Sequence, residues 1–225
     1  MADSFWRVLV VIASSMDEFN KAGGGRLEGV FGPLLVRRFS VRQPELFRVV
    51  EAVSTQRLTS IDKAALCELA QTVMDIEYDD IDGDFLVAGC GAGGAAIVIA
   101  HAKRRSRALV VHDPFTGGVD VQMRARRELE ANSADERLNV RLVPGLYEET
   151  LSAEGALAFA HLDCGKYEPM RVLLERLAPR LVPAGQLVID DYRTKEECRQ
   201  AVDDYFRGKG GFRLVRKSRL HVIRN

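Results

Sequence analysis

From about residue 84 onward, short apolar segments alternate with longer segments whose apolar residues recur at helical spacing. Short, almost uniformly apolar strands between helices are typical of a parallel sheet that is buried on both faces. The predicted strands cover residues 85–88, 108–111, 140–143, 157–160 and 186–189, and the predicted helices cover 95–103, 121–131, 169–177 and 196–206. This alternation predicts an α/β fold with helices on both faces of the sheet.

The last part of the chain follows a different pattern. Apolar residues at 212–215 and 220–223 flank the polar run Arg216-Lys217-Ser218-Arg219, which predicts an antiparallel strand pair. A terminal hairpin on a mostly parallel sheet is unusual among dinucleotide-binding folds, so it is a clue to the type of α/β fold.

The part of the chain before residue 58 carries weaker signals. Three consecutive glycines at 23–25 predict a loop, and Pro33 and Pro44 interrupt the rest, so residues 1–57 are predicted to form an irregular leader. This leader would serve as a lid or as a homo-oligomer contact, for which the apolar run 8–12 is the candidate. Helical spacing of apolar residues predicts a helix over 61–76, within a main domain that covers residues 58–225.

Composition and charge narrow the classes of partner. The 225 residues include 32 basic and 32 acidic ones, so no overall charge draws the chain to nucleic acid or to an anionic membrane. The apolar run 8–13 is too short to span a bilayer, and the N-terminus lacks the basic start of a signal peptide. The four scattered cysteines are predicted to be reduced thiols of a cytoplasmic protein.

The turn after the first predicted strand reads Gly-Cys-Gly-Ala-Gly-Gly over residues 89–94, and an apolar helix follows it. Glycines at such a turn let the backbone approach a ligand, and the free amides at the helix start can bind it. The next strand is followed by Asp113, whose carboxylate can accept hydrogen bonds from both hydroxyls of a ribose. The pattern predicts a nucleotide-type cofactor, and its spacing fits both S-adenosylmethionine (SAM) and NAD.

Carboxylates follow two neighbouring strands of the predicted sheet: Asp163 after one strand, Asp190 and Asp191 after the next. Ligands of open α/β sheets bind beyond the carboxyl ends of the strands, which lie about 5 Å apart, so the three side chains can converge. Carboxylates this close repel one another unless a cation joins them, and oxygen ligands suit Mg²⁺. Because neighbouring strand residues point to opposite faces, Asp190 and Asp191 can share an ion only if the strand unwinds there. The structural alternative is one Asp that caps the next helix and another that is exposed.

With these motifs in view, the chain resembles the macrocin O-methyltransferase family, class I enzymes that methylate deoxysugar hydroxyls in antibiotic biosynthesis, among other substrates. The resemblance covers about residues 58–210, and its strongest part is LAPRLVPAGQLVIDDYRTKEECRQAVDDYF at 177–206. Further parts are LTSIDKAAL (58–66), DGDFLVAGCGAGGAA (82–96), HDPFTGG (112–118), LVPGLYEETL (142–151) and FAHLDCGKYEPM (159–170). It implies a Rossmann-like class I methyltransferase fold with a seven-stranded, mostly parallel sheet, helices on both faces and an antiparallel terminal hairpin.

The resemblance also implies a cofactor, a metal and a substrate. The cofactor is SAM, the acceptor is a small molecule, and Mg²⁺ lowers the pKa of the acceptor hydroxyl. The residues assigned to the cofactor are Gly89, Cys90, Gly91, Gly93, Asp113, Phe115 and Asp163. The residues assigned to the metal are Asp163, Asp190 and Asp191.

Two positions depart from the family pattern. Family members commonly carry Glu where this chain has Ala88, and they carry Asp, the proposed general base, where it has Gly165. Loss of a positioned base costs roughly 10²- to 10⁴-fold in rate. His161 is a remaining candidate base, although a satisfied strand histidine is the plainer interpretation.

Three hypotheses about function therefore stay open. The first is methyl transfer without the usual base, including transfer to an easily ionised acceptor such as a phenol or enol. The second is a SAM-binding protein that has lost methyl transfer and serves as a subunit or regulator. The third is an NAD-dependent oxidoreductase, which rests only on the glycine spacing.

Overall fold

The computed structural model describes residues 28–115, 123, 127, 128, 131, 138–152 and 154–225, and within them it contains a seven-stranded sheet. The strands are β1 (Asp84–Ala88), β2 (Leu109–Asp113), β3 (Val140–Pro144), β4 (Leu157–Leu162), β5 (Leu181–Ile189), β6 (Phe212–Arg216) and β7 (Leu220–Arg224). Their order across the sheet is β3-β2-β1-β4-β5-β7-β6, and β7 pairs antiparallel with both of its neighbours. The predicted mostly parallel sheet with a terminal hairpin is confirmed.

Helices cover both faces of this sheet. They are α1 (Glu28–Arg42), α2 (Pro44–Thr55), α3 (Lys63–Tyr78), α4 (Gly94–Ala102), α5 (Tyr147–Thr150), α6 (Tyr167–Leu177) and α7 (Glu196–Phe206). Asp62 caps α3, because its carboxylate accepts a hydrogen bond from the N–H of Ala65. The helix predicted over 121–131 falls outside the described residues except at isolated positions, and the predicted loop 23–25 and apolar run 8–12 lie wholly outside them.

The prediction of an irregular leader up to residue 57 is wrong for residues 28–55, which form α1 and α2. Pro44 occupies the first turn of α2, where its missing N–H has no helical partner to lose, so this proline begins a helix. Phe39, Val50 and Val53 are buried in the same apolar cluster as the strands. The division of the chain at residue 57 stays a prediction.

The alternation of side chains along each strand divides the core into two layers. In β1 and in β4 from Phe159 onward, odd-numbered residues such as Phe85 and Val87 face α1 to α4, where they meet fully buried residues of α3 and α4. Even-numbered residues of these segments, such as Leu86 and Ala160, face α5 to α7, whereas in β5 the numbering is reversed. Burial on both faces explains why the strands read as continuous apolar runs. None of the described helices is long and apolar enough to cross a membrane.

The central strands end in register, which defines one edge of the sheet. Ala88 of β1 is paired with His112 of β2 and with Leu162 of β4, and Leu162 is paired in turn with Ile189 of β5. The chain leaves β1 toward β2 on one side, whereas β4 lies on its other side, so a topological switch point lies between β1 and β4. Ligands of open α/β sheets bind at such a point. The candidate site residues lie at this edge, at the ends of β1, β2, β4 and β5 or directly after them.

Candidate active site

The glycine loop begins at Gly89, whose backbone lies close to that of Asp163, the residue after β4. Gly89 has φ +84°, and a Cβ atom built on it would lie 2.0 Å from the carbonyl oxygen of Asp163. The N–H of Gly89 donates to the carbonyl of His112, and the N–H of Asp163 donates to that of Ala88. Only glycine fits this position, because both the backbone angle and the space exclude a side chain.

The rest of the loop leads into α4 with its backbone open on one side. Gly91 has φ +51°, and among the described residues no heavy atom beyond its chain neighbours lies within 4 Å of a Cβ built there. Gly93, with φ +95°, is the N-cap of α4, and its N–H donates to the carbonyl of Cys90. Burial raises the pKa of the Cys90 thiol, with Asp113 adding to the effect, so this cysteine is a neutral packing group.

Asp113 has a structural task that the sequence did not reveal. One of its carboxylate oxygens accepts the N–H of Cys90 at 2.6 Å, and the other accepts the N–H of Phe115 at 2.7 Å. The carboxylate therefore ties the glycine loop to the residues that follow β2. Each oxygen keeps a further lone pair, so a ribose hydroxyl can still donate to Asp113. Gly89, Cys90, Asp113, Phe115 and Asp163, all assigned to the cofactor, lie within this one connected group.

The three carboxylates expected at a metal come together. Asp163, Asp190 and Asp191 each offer an oxygen, and these oxygens lie within 4.8 Å of one another. Strand β5 ends at Ile189, and the chain then bends and turns, so Asp190 and Asp191 escape the alternation that would separate them in a regular strand. The amides of Thr194 and Lys195 donate to the carbonyl of Asp191 and hold this turn.

The electrostatics of this cluster favour a cation. Burial, and then the neighbouring carboxylates of Asp190 and Asp191, raise the pKa of Asp163 to about 7. A donor set of three carboxylate oxygens is one that Mg²⁺ accepts, with water or substrate oxygens in the remaining positions. The residues present therefore fit a hard divalent ion.

One residue at this edge escaped the sequence analysis. Arg219, in the turn between β6 and β7, donates from Nε to Oδ1 of Asp190. From the sequence alone, the polar run 216–219 predicts only the turn of the hairpin. No local pattern could have revealed this contact, because it joins residues that are 29 positions apart.

Gly165 lies beside Asp191 and Lys195. A Cβ atom at Gly165 would lie 3.0 Å from Oδ2 of Asp191 and 3.1 Å from Cγ of Lys195. The aliphatic part of Lys195 thus lies against the position that the family resemblance assigns to a base. A larger residue here requires the Lys195 side chain and the Asp191 carboxylate to shift.

His161 is buried in the sheet on the face that meets α3. Its side chain is 1% exposed, and neither ring nitrogen has a hydrogen-bond partner among the described residues. Burial lowers its pKa to about 4, so the ring is neutral near pH 7. A cavity of about 10 Å³, room for about one water molecule, lies against His161, Asp190 and Arg219. The role of His161 as base stays a prediction.

Comparisons with known proteins show similarity to O-methyltransferases over most of the chain, including the candidate site. The profile of macrocin O-methyltransferase (TylF) matches residues 48–212. The 8-demethyl-8-(2,3-dimethoxy-alpha-L-rhamnosyl)-tetracenomycin-C 4'-O-methyltransferase of Streptomyces olivaceus is 32% identical, and the match covers 68% of this chain and 69% of that protein. Demethyldecarbamoylnovobiocin O-methyltransferase of Streptomyces niveus is 29% identical over 65% of this chain and 67% of its own.

A solved structure agrees with these sequence relatives. The O-methyltransferase NovP superposes with a TM-score of 0.59 at 25% identity, over 74% of this chain and 82% of NovP. The family match spans most of the chain and includes the glycine loop, Asp113 and the three clustered carboxylates. Taken with the fold and the site, these matches show that the chain belongs to the macrocin O-methyltransferase family of SAM-dependent enzymes.

Proposed function

We propose that the protein transfers a methyl group from SAM to a hydroxyl of a sugar or of another secondary-metabolite acceptor, with Mg²⁺ at the carboxylate cluster. The observation that carries this proposal is the convergence of two sites at one edge of the sheet. Asp163 belongs to both, because its backbone contacts Gly89 and its side chain approaches Asp190 and Asp191. A methyl donor on the glycine loop and an acceptor on the metal would therefore be neighbours.

The cofactor part rests on Asp113 and the loop that it braces. The ribose hydroxyls of SAM would donate to Asp113, and the open backbone at Gly91 would admit the methionine part of the cofactor. Asp113 is thus expected to orient the cofactor and to hold the loop against β2. The relatives named above act, by their names, on a rhamnosyl-tetracenomycin and on demethyldecarbamoylnovobiocin, and the rhamnosyl group of the first supports a glycosylated acceptor.

The metal part rests on the chemistry of the donor set. When bound, Mg²⁺ would hold the acceptor oxygen and lower the pKa of its hydroxyl. The three Asp side chains would position the ion. The protein then mainly aligns the acceptor oxygen with the methyl carbon, since alignment itself contributes much of the rate.

A titration with S-adenosylhomocysteine (SAH) tests the cofactor part. We expect calorimetry to show one SAH site per chain, and the absence of binding at millimolar SAH would refute it. Methylation of glycosylated acceptors, followed by mass spectrometry with Mg²⁺ and with EDTA, tests the metal part. We expect activity to be lost in EDTA and restored by Mg²⁺.

A second candidate function is supported by Gly165 and Ala88. A chain that binds SAM but lacks the usual base would be a regulatory subunit, or it would methylate an acceptor that ionises without help, such as a phenol or enol. A regulatory subunit would not methylate phenolic acceptors, whereas an enzyme that needs no base would methylate them. Robust methylation of an unactivated sugar hydroxyl by the unaltered protein would eliminate both.

Replacement of Gly165 probes the missing base directly. Because Lys195 lies close to this position, we would introduce Gly165→Asp in a Lys195→Ala background, which removes the contact with Lys195 and leaves only the end of the Asp191 side chain to adjust. The matched control is Gly165→Asn in the same background, which has the same shape and no basic carboxylate. If the base is the missing element, turnover of a sugar acceptor rises roughly 10²-fold or more over the Asn control; equal rates would show that it is not.

A further inference from the structure

We propose that Arg219 is a positioning residue for Asp190: its guanidinium orients this carboxylate as a metal ligand and balances the charge of the cluster. The inference rests on the proposed function, because it requires that the carboxylates hold an ion. It adds a residue of the C-terminal hairpin to a site that is otherwise built from the ends of central strands.

The first support is the register of the sheet. Ile189 of β5 is paired with Leu220 of antiparallel β7, so the residue after Ile189 lies beside the residue before Leu220. These residues are Asp190 and Arg219, and Nε of Arg219 donates to Oδ1 of Asp190. The two side chains are 9% and 22% exposed, so the contact is largely protected from water. It leaves the second oxygen of Asp190 available to an ion.

The second support is that the turn carrying Arg219 is anchored on both sides of it. Glu68 of α3 accepts hydrogen bonds from the N–H and the hydroxyl of Ser218, at 3.3 and 2.9 Å. It also lies 3.3 Å from Nε2 of His221, whose Nδ1 lies 3.2 Å from the side-chain oxygen of Gln186. Residues 218 and 221 are therefore both fixed to a helix on one face of the sheet. Because the residues on either side of Arg219 are fixed, its guanidinium is preorganised to contact Asp190.

The third support is the balance of charge. Asp163, Asp190 and Asp191 bring three carboxylates together, and the guanidinium of Arg219 lies against one of them, that of Asp190. One divalent ion and one guanidinium together neutralise three carboxylates. A guanidinium cannot release its proton in a protein, so Arg219 supplies a permanent charge. Residues that hydrogen-bond to a metal-ligating carboxylate, without binding the metal themselves, keep that carboxylate in place.

A different role for Arg219 makes the opposite prediction. If its guanidinium took the place of the ion, removing it would free Asp190 and strengthen the binding of Mg²⁺. If it positions Asp190, removing it weakens the binding of Mg²⁺ even though the local negative charge increases. The sign of the change in Mg²⁺ affinity therefore distinguishes the two roles.

The test compares three variants of the full chain loaded with SAH. Arg219→Met removes the guanidinium, and Arg219→Lys keeps the charge but not the fork of donors. Arg213→Met is the matched control, because Arg213 is an exposed arginine on the same hairpin. Mg²⁺ affinity is measured by calorimetric titration, with the affinity for SAH and the thermal stability measured on the same samples.

We expect Arg219→Met to weaken Mg²⁺ binding 10- to 100-fold, Arg219→Lys to weaken it less, and Arg213→Met to leave it unchanged, with SAH affinity retained in all three. Unchanged or tighter Mg²⁺ binding in Arg219→Met refutes the inference. If Arg219→Met does not fold, Arg219→Lys decides, because wild-type affinity in that variant shows that the guanidinium geometry is not needed.

The wild-type protein separates failure of the inference from failure of the proposed function. If wild type binds Mg²⁺ and the Arg219 variants bind it equally well, the inference alone is wrong. If wild type binds SAH and does not bind Mg²⁺, the metal part of the proposed function is wrong and the role of Arg219 falls with it. If wild type does not bind SAH, the cofactor part is wrong.

Discussion

Replacing Asp163 by Asn should make the metal-free protein more stable at high pH while removing its response to Mg²⁺. The pKa of Asp163 is raised from 3.8 to about 7, first by burial and then by the carboxylates of Asp190 and Asp191. The folded state therefore binds a proton at this group more tightly than the unfolded state does. As pH rises from about 4 through about 7, the unfolded chain releases its proton first, so the group lowers stability progressively.

The magnitude follows from the shift in pKa. A shift of roughly 3 units corresponds to about 4 kcal/mol of lost stability above pH 7. Because Asp163 is partly exposed and the unfolded chain is not fully hydrated, we expect roughly 2–3 kcal/mol to be observed. Asn is neutral throughout this range. The difference in the free energy of unfolding between Asp163→Asn and wild type should thus grow by that amount between pH 4 and pH 8.

Urea denaturation in EDTA at several pH values measures this difference, because the contributions of groups that do not interact with Asp163 cancel between the two proteins. Asp82→Asn is the matched control: Asp82 is exposed and lies away from the cluster, so its variant should differ from wild type by a constant amount. A second series contains Mg²⁺. A saturating ion at about 100 times its Kd stabilises wild type by about 2.7 kcal/mol, and it should leave Asp163→Asn almost unaffected.

A difference between variant and wild type that stays constant from pH 4 to pH 8 would refute the interpretation of Asp163 as a carboxyl with a raised pKa. A growing difference together with equal stabilisation of both proteins by Mg²⁺ would refute its assignment as a metal ligand while preserving the electrostatic argument.

Two further predictions concern the cofactor loop. Gly89→Ala should lower the free energy of unfolding by at least about 3 kcal/mol, since its Cβ would lie 2.0 Å from the carbonyl oxygen of Asp163. Gly208→Ala, with positive φ and open space, should cost only about 1 kcal/mol in the same urea experiment, and equal losses would contradict the close-approach argument. Asp113→Asn should weaken SAH binding roughly 10- to 100-fold by calorimetry, because Asn presents an N–H group where a backbone N–H now donates. Asp82→Asn serves again as control, and unchanged SAH affinity in Asp113→Asn would remove Asp113 from the cofactor site.

The parts of the fold that the sequence predicted well are those with a local signal. Each central strand is a run of apolar residues with helices around it, and the hairpin has two apolar segments across a short polar turn. In the sequence Pro33 and Pro44 both resemble breaks, yet Pro33 lies inside α1 and Pro44 begins α2. A proline in the first turn of a helix is compatible with that helix, and the burial of Val50 and Val53 depends on α2 packing against the rest of the core.

β5 illustrates the limit of local signals within one strand. It begins at Leu181, five residues before the predicted start at 186, and its pairing with β4 shifts register between these points. Pro183, Ala184 and Gly185 resemble a turn in the sequence, and Ala184 has φ +64°. The neighbouring strand keeps this irregular segment in the sheet, and such pairing leaves no trace in the sequence of β5 alone.

The sequence by itself determined the α/β class, the glycine loop, the acid after β2 and the carboxylates after β4 and β5, because each follows from residue types at short spacing. Tertiary structure decided which of these groups meet. The register of parallel strands brings Gly89 against Asp163, the turn after β5 lets Asp190 and Asp191 converge, and the antiparallel register of β7 brings Arg219 to Asp190. These contacts join residues far apart in the chain. They depend on strand order and direction, which local periodicity does not encode.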